Sequence, residues 1–133
     1  MVFPLSYILL LAQQPQQAQV LLSLFRGSCY DVAIAGSEEQ AIHHVNQRPP
    51  FLIILFGDPS HWSANLLHHF RAYCPDKQVT LVALTDFHTP RWVHQEENPG
   101  FDGFFVAPLS LEVATSLVQS AYTRQVCFSA QSA

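Results

Sequence analysis

A chain of 133 residues is long enough for one domain with a single core and no staples. Its charged share is 12% and its net charge −4, against roughly 25% charged residues in an ordinary globular domain. Six scattered Lys and Arg residues give no basic stripe for nucleic acid, and no apolar run reaches the roughly eighteen residues of a membrane span.

Gln, Ser, Thr, Asn and His must therefore make much of the surface, and low charge favours association with a partner or with itself. Cys29, Cys74 and Cys127 are odd in number, far apart and without a CxxC pair. That pattern suits reduced thiols in a cytoplasmic protein rather than a disulfide framework or a zinc site. The opening "MVFPLSYILLLAQQ" lacks a basic leader region and reads as a first strand, not a signal peptide.

In chain order, "SYILLLA" (6–12) is an apolar run of strand length. A helix follows through Ala18, Leu21, Leu22 and Phe25, with Gly27 as its stop. "YDVAIA" (30–35) is a second strand. "SEEQAIHHVNQ" (37–47) opens on Ser37 and Gln40 in a capping-box arrangement and carries Ala41, Ile42 and Val45 on one face. Pro49 and Pro50 end it, and "FLIILF" (51–56) is the most apolar strand.

A third helix over 60–74 aligns Leu66, Leu67, Phe70 and Cys74, and "QVTLVAL" (78–84) is a fourth strand. Thr89 and Pro90 read as the cap and first residue of a short fourth helix. "GFFVA" (103–107) is a fifth strand, and 110–124 form the last amphipathic helix. Strands apolar along their whole length indicate a parallel sheet covered on both faces. The expected fold is a three-layer α/β/α, doubly wound, five-stranded parallel sheet, flavodoxin-like, with the (βα)5 order. Residues 1–125 would form this domain, and 126–133, small and polar, a fraying tail or the start of a linker.

Ligands of such sheets bind beyond the carboxyl ends of the strands. Those ends read Ala12-Gln13, Phe56-Gly57-Asp58, Thr85-Asp86 and Ala107-Pro108. There is no GxGxxG and no phosphate-binding P-loop, so no nucleotide or flavin cofactor is expected. No Ser or Cys carries a nucleophile motif, and no enzyme activity is expected.

"GFFVAPLS" (103–110), "ILLLAQQP" (8–15), "PFLIILFGDP" (50–59) and "ALTD" (83–86) occur in order and at characteristic spacings. Together they resemble the receiver domain of two-component response regulators over residues 5 to 124. The resemblance implies what has been replaced. The Mg²⁺-holding acids fall on Ala12 and Gln13, the phosphoacceptor on Phe56 and the phosphate-pairing Lys on Ala107; Thr85 and Pro108 stand unchanged. That pattern is similar to degenerate members called pseudo-receivers. Aspartyl phosphorylation needs a carboxylate nucleophile and a cation, and Mg²⁺ is usually anchored by one or two carboxylates; Ala12 and Ala107 supply neither oxygen nor charge. Asp58 reads as a turn residue between Gly57 and Pro59.

Seven histidines raise a metal question. The adjacent pairs His43-His44 and His68-His69 diverge on a helix and no i, i+4 pair exists, so no metal site is expected. Trp92, Phe104 and Phe105 are interface candidates, Phe104 falling on the family's switch aromatic. In receivers the face from the fourth helix through the fifth strand to the fifth helix is the usual partner surface. The leading expectation is a phosphorylation-independent signalling domain contacting a protein partner or a second copy there, with neither nucleic acid nor membrane involved. The alternatives are a pseudo-receiver sensing a quinone-like small molecule, with Phe56, Phe87 and Trp62 lining a strand-end pocket, and, weakest, an active receiver using Asp58 or Asp86.

Overall fold

The computed structural model describes residues 7–25, 30–47, 50–56, 64–73, 79–85, 102–106 and 110–131. The elements in order are β1 (Tyr7–Ala12), α1 (Pro15–Phe25), β2 (Asp31–Ala35), α2 (Glu38–Gln47), β3 (Leu52–Phe56), α3 (Ala64–Tyr73), β4 (Thr80–Thr85), β5 (Gly103–Val106) and α4 (Leu111–Gln131). The helix expected over 90–97 lies outside the described residues, so α4 is the one read from sequence as the fifth.

All strand pairings are parallel, in the order β2-β1-β3-β4-β5. Strand parity explains how the core divides. Successive side chains point to opposite faces, and β1 and β3 are buried at every position. Tyr7, Leu9 and Leu11 join Ile53 and Leu55 in one apolar cluster, covered by Ala41 and Val45 of α2 and by Leu66, Leu67 and Phe70 of α3. Ile8, Leu10 and Ala12 join Leu52, Ile54 and Phe56 in a second, covered by Ala18, Leu21 and Phe25 of α1 and by Ala114, Leu117, Val118 and Ala121 of α4. Continuous apolar strands are what two such clusters require. At about 25 cal/mol per Å² of apolar area removed from water, they are the main stabilising term.

The ends of the helices follow local chemistry. At α2 the Gln40 N–H donates to Ser37 Oγ at 3.2 Å, and Gln40 Oε1 accepts from the Gly36 N–H at 2.8 Å. The expected capping pair is present, with the returning bond landing one residue upstream of the cap. Ser37→Ala should therefore cost about 1 kcal/mol, read as a lower urea midpoint at unchanged slope. Ser110 caps α4 in the same manner, its Oγ accepting from the Val113 N–H at 3.2 Å.

Beyond shifts of a single residue, the end of α4 and the start of β4 differ from expectation. Helix α4 continues to Gln131 instead of ending at 124, because "QVCFSAQ" contains neither Gly nor Pro to stop it. The expected tail from 126 is helical through that point. Strand β4 starts at Thr80, two residues later than read. Among the described residues, no helix is long and apolar enough to cross a membrane.

Beneath the amino ends of the strands lies a feature that the linear pattern did not suggest. Phe51, wholly buried, stands edge-on to Tyr30 (centroids 5.0 Å apart) and to Tyr122 of α4 (5.9 Å), and the two tyrosines are 5.1 Å apart. The Phe51 backbone also bridges strands, its N–H donating to the Tyr7 carbonyl and its carbonyl accepting from the Thr80 N–H, both at 3.0 Å.

Candidate functional site

Parallel pairing places the carboxyl ends of all strands along one edge of the sheet, where a site is expected. The register sets Ala12 directly beside Phe56, and Phe56 directly beside Leu84. Thr85 follows one residue on and pairs with Val106. Two of the sequence-singled residues, Ala12 and Phe56, are thus brought together on neighbouring strands. Gln13 is exposed just past β1. Ala107, Trp92, Asp58, Asp86, Phe87 and Trp62 lie outside the described residues.

Phe56 is 8% exposed and Ala12 2%, and both belong to the cluster beneath α1 and α4. Neighbouring strands lie about 4.8 Å apart, so the ring and the methyl share one apolar space with Leu10, Ile54 and Leu84. The phenyl group is not turned out to water. Burying such a side chain contributes about 1.5–3 kcal/mol on transfer grounds. A well-packed apolar group in place of a buried ion cluster is commonly neutral or stabilising.

The donor chemistry bears directly on Mg²⁺, the ion that the family resemblance implies. That ion takes a near-octahedral set of oxygens. Ala12 and Phe56 have no side-chain oxygen, and Gln13 has a neutral one. The described strand-end residues do not fit the ion. Among the described residues, no group of three or more His, Cys, Asp or Glu side chains is placed to hold a metal. His43 Nε2 lies 3.0 Å from Gln47 Nε2, and His69 Nε2 lies 3.1 Å from Asn46 Oδ1, the latter tying α3 to α2.

Of the interface candidates, Phe105 is half-buried against the second cluster, and Phe104 is placed by its backbone pairing with Ala83. Phe105 also lines a groove of about 530 Å³ between β4, β5 and α4. Sequence reading missed this groove and the residue at its inner side, Thr80. The Thr80 side chain is 7% exposed, and its Oγ1 is the one buried side-chain oxygen among the described residues without a hydrogen-bond partner. An unmade bond of this kind costs about 1–3 kcal/mol. The available signal was a hydroxyl residue opening a strand that is then apolar as far as Leu84, two positions before Val82 and so on the same face. Asp102 holds the neighbouring strand end: its Oδ2 accepts from the Leu81 N–H at 2.8 Å, and its own N–H donates to the Leu81 carbonyl at 2.7 Å. The exposed apolar side chains Leu111 and Val113 start the adjoining helix.

No protein-family model matches the chain, and no curated protein matches it in sequence. Solved structures do match in shape. The N-terminal domain of a response regulator/sensory box/GGDEF three-domain protein from Carboxydothermus hydrogenoformans aligns at TM-score 0.74 and 18% identity, over 96% of this chain and 100% of that one. A response regulator receiver domain protein from Clostridium thermocellum aligns at TM-score 0.76 and 13% identity, over 92% and 98%. A two-component response regulator from Legionella pneumophila aligns at TM-score 0.72 and 22% identity, over 89% and 98%. Such low identities carry fold and nothing further: this chain has the flavodoxin-like α/β fold, with a parallel sheet, of response regulator receiver domains.

Proposed function

We propose that the protein is a pseudo-receiver, a receiver-like signalling domain of doubly wound, five-stranded, three-layer construction. It acts by contact with a protein partner or a second copy and is not phosphorylated on aspartate. The observation that carries the reading is the buried phenyl group of Phe56, in register with Ala12 and inside an apolar cluster. Where the resemblance puts the phosphoacceptor and one of the cation's acids, the side chains are hydrocarbon. A carboxylate nucleophile and a charge-neutralising cation are both needed for aspartyl phosphorylation, and neither has a side-chain donor at these two positions.

Signalling would then rest on recognition. The candidate surface is the one around Trp92, Phe104 and Phe105, and low overall charge together with exposed Leu111 and Val113 supports an apolar contact there. A soluble, cytoplasmic, non-enzymatic domain is the corresponding setting.

Incubation with acetyl phosphate and Mg²⁺, followed by intact-mass measurement, tests the reading. The expected outcome is no stable adduct of one phosphate. A phosphate mapped to Asp58 or Asp86 would replace this reading with that of an active receiver whose acceptor is displaced.

A further inference from the structure

We infer that the outer edge of β2 is a docking surface for a second copy of this chain, which adds its own β2 in antiparallel register and joins the two sheets into one. The inference does not depend on the signalling reading and uses a different face of the domain. β2 is the outermost strand on its side of the sheet, and among the described residues it is bonded only to β1. Such an edge presents backbone N–H and C=O groups that template another strand, and folded proteins usually guard it with Lys, Pro, a bulge or a covering element. The β2 segment "DVAIA" contains neither Lys nor Pro, and its five pairings with β1 run without a bulge. Val32 and Ala33 are half-buried and Ile34 is 39% exposed, so the rim is not covered over.

The order of the side chains points to a second copy as the occupant. Val32 pairs with Ile8 and Ile34 with Leu10, so both lie on the face of the second cluster. A two-fold axis through Ala33, perpendicular to the sheet, sets Ala33 against Ala33 of the second copy and Val32 against its Ile34. One β-branched pair then stands on each side of the axis, the kind of side chain that favours cross-strand contact. Asp31 falls opposite Ala35 of the second copy, about 13 Å along the strand from the other Asp31, so no like charges are opposed. Read against itself, the strand puts apolar on apolar and acid on alanine, and the low charge of the chain keeps repulsion between two copies small.

The contact is short. Five strand residues span roughly 17 Å, and a ribbon of that length buries far less than the roughly 800 Å² per partner of a standard interface. Association is therefore weak and depends on concentration, with a dissociation constant on the order of 10–100 µM.

The test uses the full chain at about 5 µM and at about 500 µM, where mass action should give monomer and mostly dimer by sedimentation velocity. Over the same range, exchange of the β2 amides that point away from β1 should slow about fivefold, while amides of β5 and α4 keep their rates. That measurement needs no variant, so it decides however the variants fold. Ile34→Lys and Ile34→Glu each put a charge on the rim and should hold the protein monomeric at the higher concentration. In the inferred register the two copies of position 34 are diagonal neighbours about 7–8 Å apart, so an equimolar mixture of the two variants should recover the dimer that neither forms alone. A dimer that persists in both single variants, or β2 exchange that ignores concentration, would overturn the assignment. Protection gained at β5 and α4 instead would move the contact to the face around Phe104 and Phe105 and overturn this one. A monomer at the higher concentration would leave the β2 edge to a strand of another protein and overturn the second copy as its occupant.

Discussion

Phe56→Asp is expected to destabilise the domain by at least about 3–5 kcal/mol, the range for removing a buried aromatic side chain, and to gain no phosphorylation. A typical domain has only about 5–15 kcal/mol in total. The physical reason is the company that Phe56 keeps. Ala12 stands beside it in register, and Leu10, Ile54 and Leu84 share its space. A carboxylate introduced there would lose the ring's packing and meet no described cation. Burial would push its pKa above the ordinary ~3.9. The native state would then bind more protons than the unfolded chain, so the variant's stability relative to wild type should fall as pH rises above about 4 and level off past the raised pKa. Phe56→Leu, which keeps most of the apolar volume, should cost about 1–1.5 kcal/mol with no such pH dependence. Urea unfolding at several pH values separates the two. A Phe56→Asp protein as stable as wild type, or one that accepts phosphate, would show that the space is not the apolar plug described.

The other large effect belongs to the opposite end of the sheet. Phe51→Ala should cost about 3–5 kcal/mol, because Phe51 is wholly buried between Tyr30 and Tyr122. Only Tyr122 comes from α4, so the trio fastens the last helix to the segments entering β2 and β3. A double-mutant cycle on Tyr30→Leu and Tyr122→Leu should return about 0.5–1.5 kcal/mol of coupling, as for other aromatic pairs. Near-ultraviolet circular dichroism should lose tyrosine signal in all of these variants. A cost below about 1 kcal/mol for Phe51→Ala, or additive tyrosine losses, would mean that the rings are not packed as described.

Much of the fold could be read from residue order. The buried runs of β1 and β3 are apolar at every position, which two-sided burial demands, and the capping pair at Ser37 and Gln40 marked the start of α2 within one residue. The extension of α4 was hidden because Ser, Ala and Gln neither break a helix nor announce one. At the strand ends, the receiver resemblance grouped Ala12 and Phe56 in one degenerate pocket, and the register supplies their direct pairing. The groove was not legible. It depends on how far α4 stands from β5, a distance set by tertiary packing. Thr80 shows the same limit: a threonine in a strand is ordinary, and only the packed structure reveals that its hydroxyl lacks a partner. The aromatic trio joins residues 30, 51 and 122, a proximity that no local pattern encodes.

The interior placement of β1, between β2 and β3, has a kinetic consequence. Its amides are bonded on both sides and shielded by both apolar clusters, so deuterium from solvent should enter at Leu9 and Leu10 only when the whole domain opens. At the rim strand β2, whose Asp31 and Ile34 are exposed, isotope uptake should proceed through local fraying, orders of magnitude sooner.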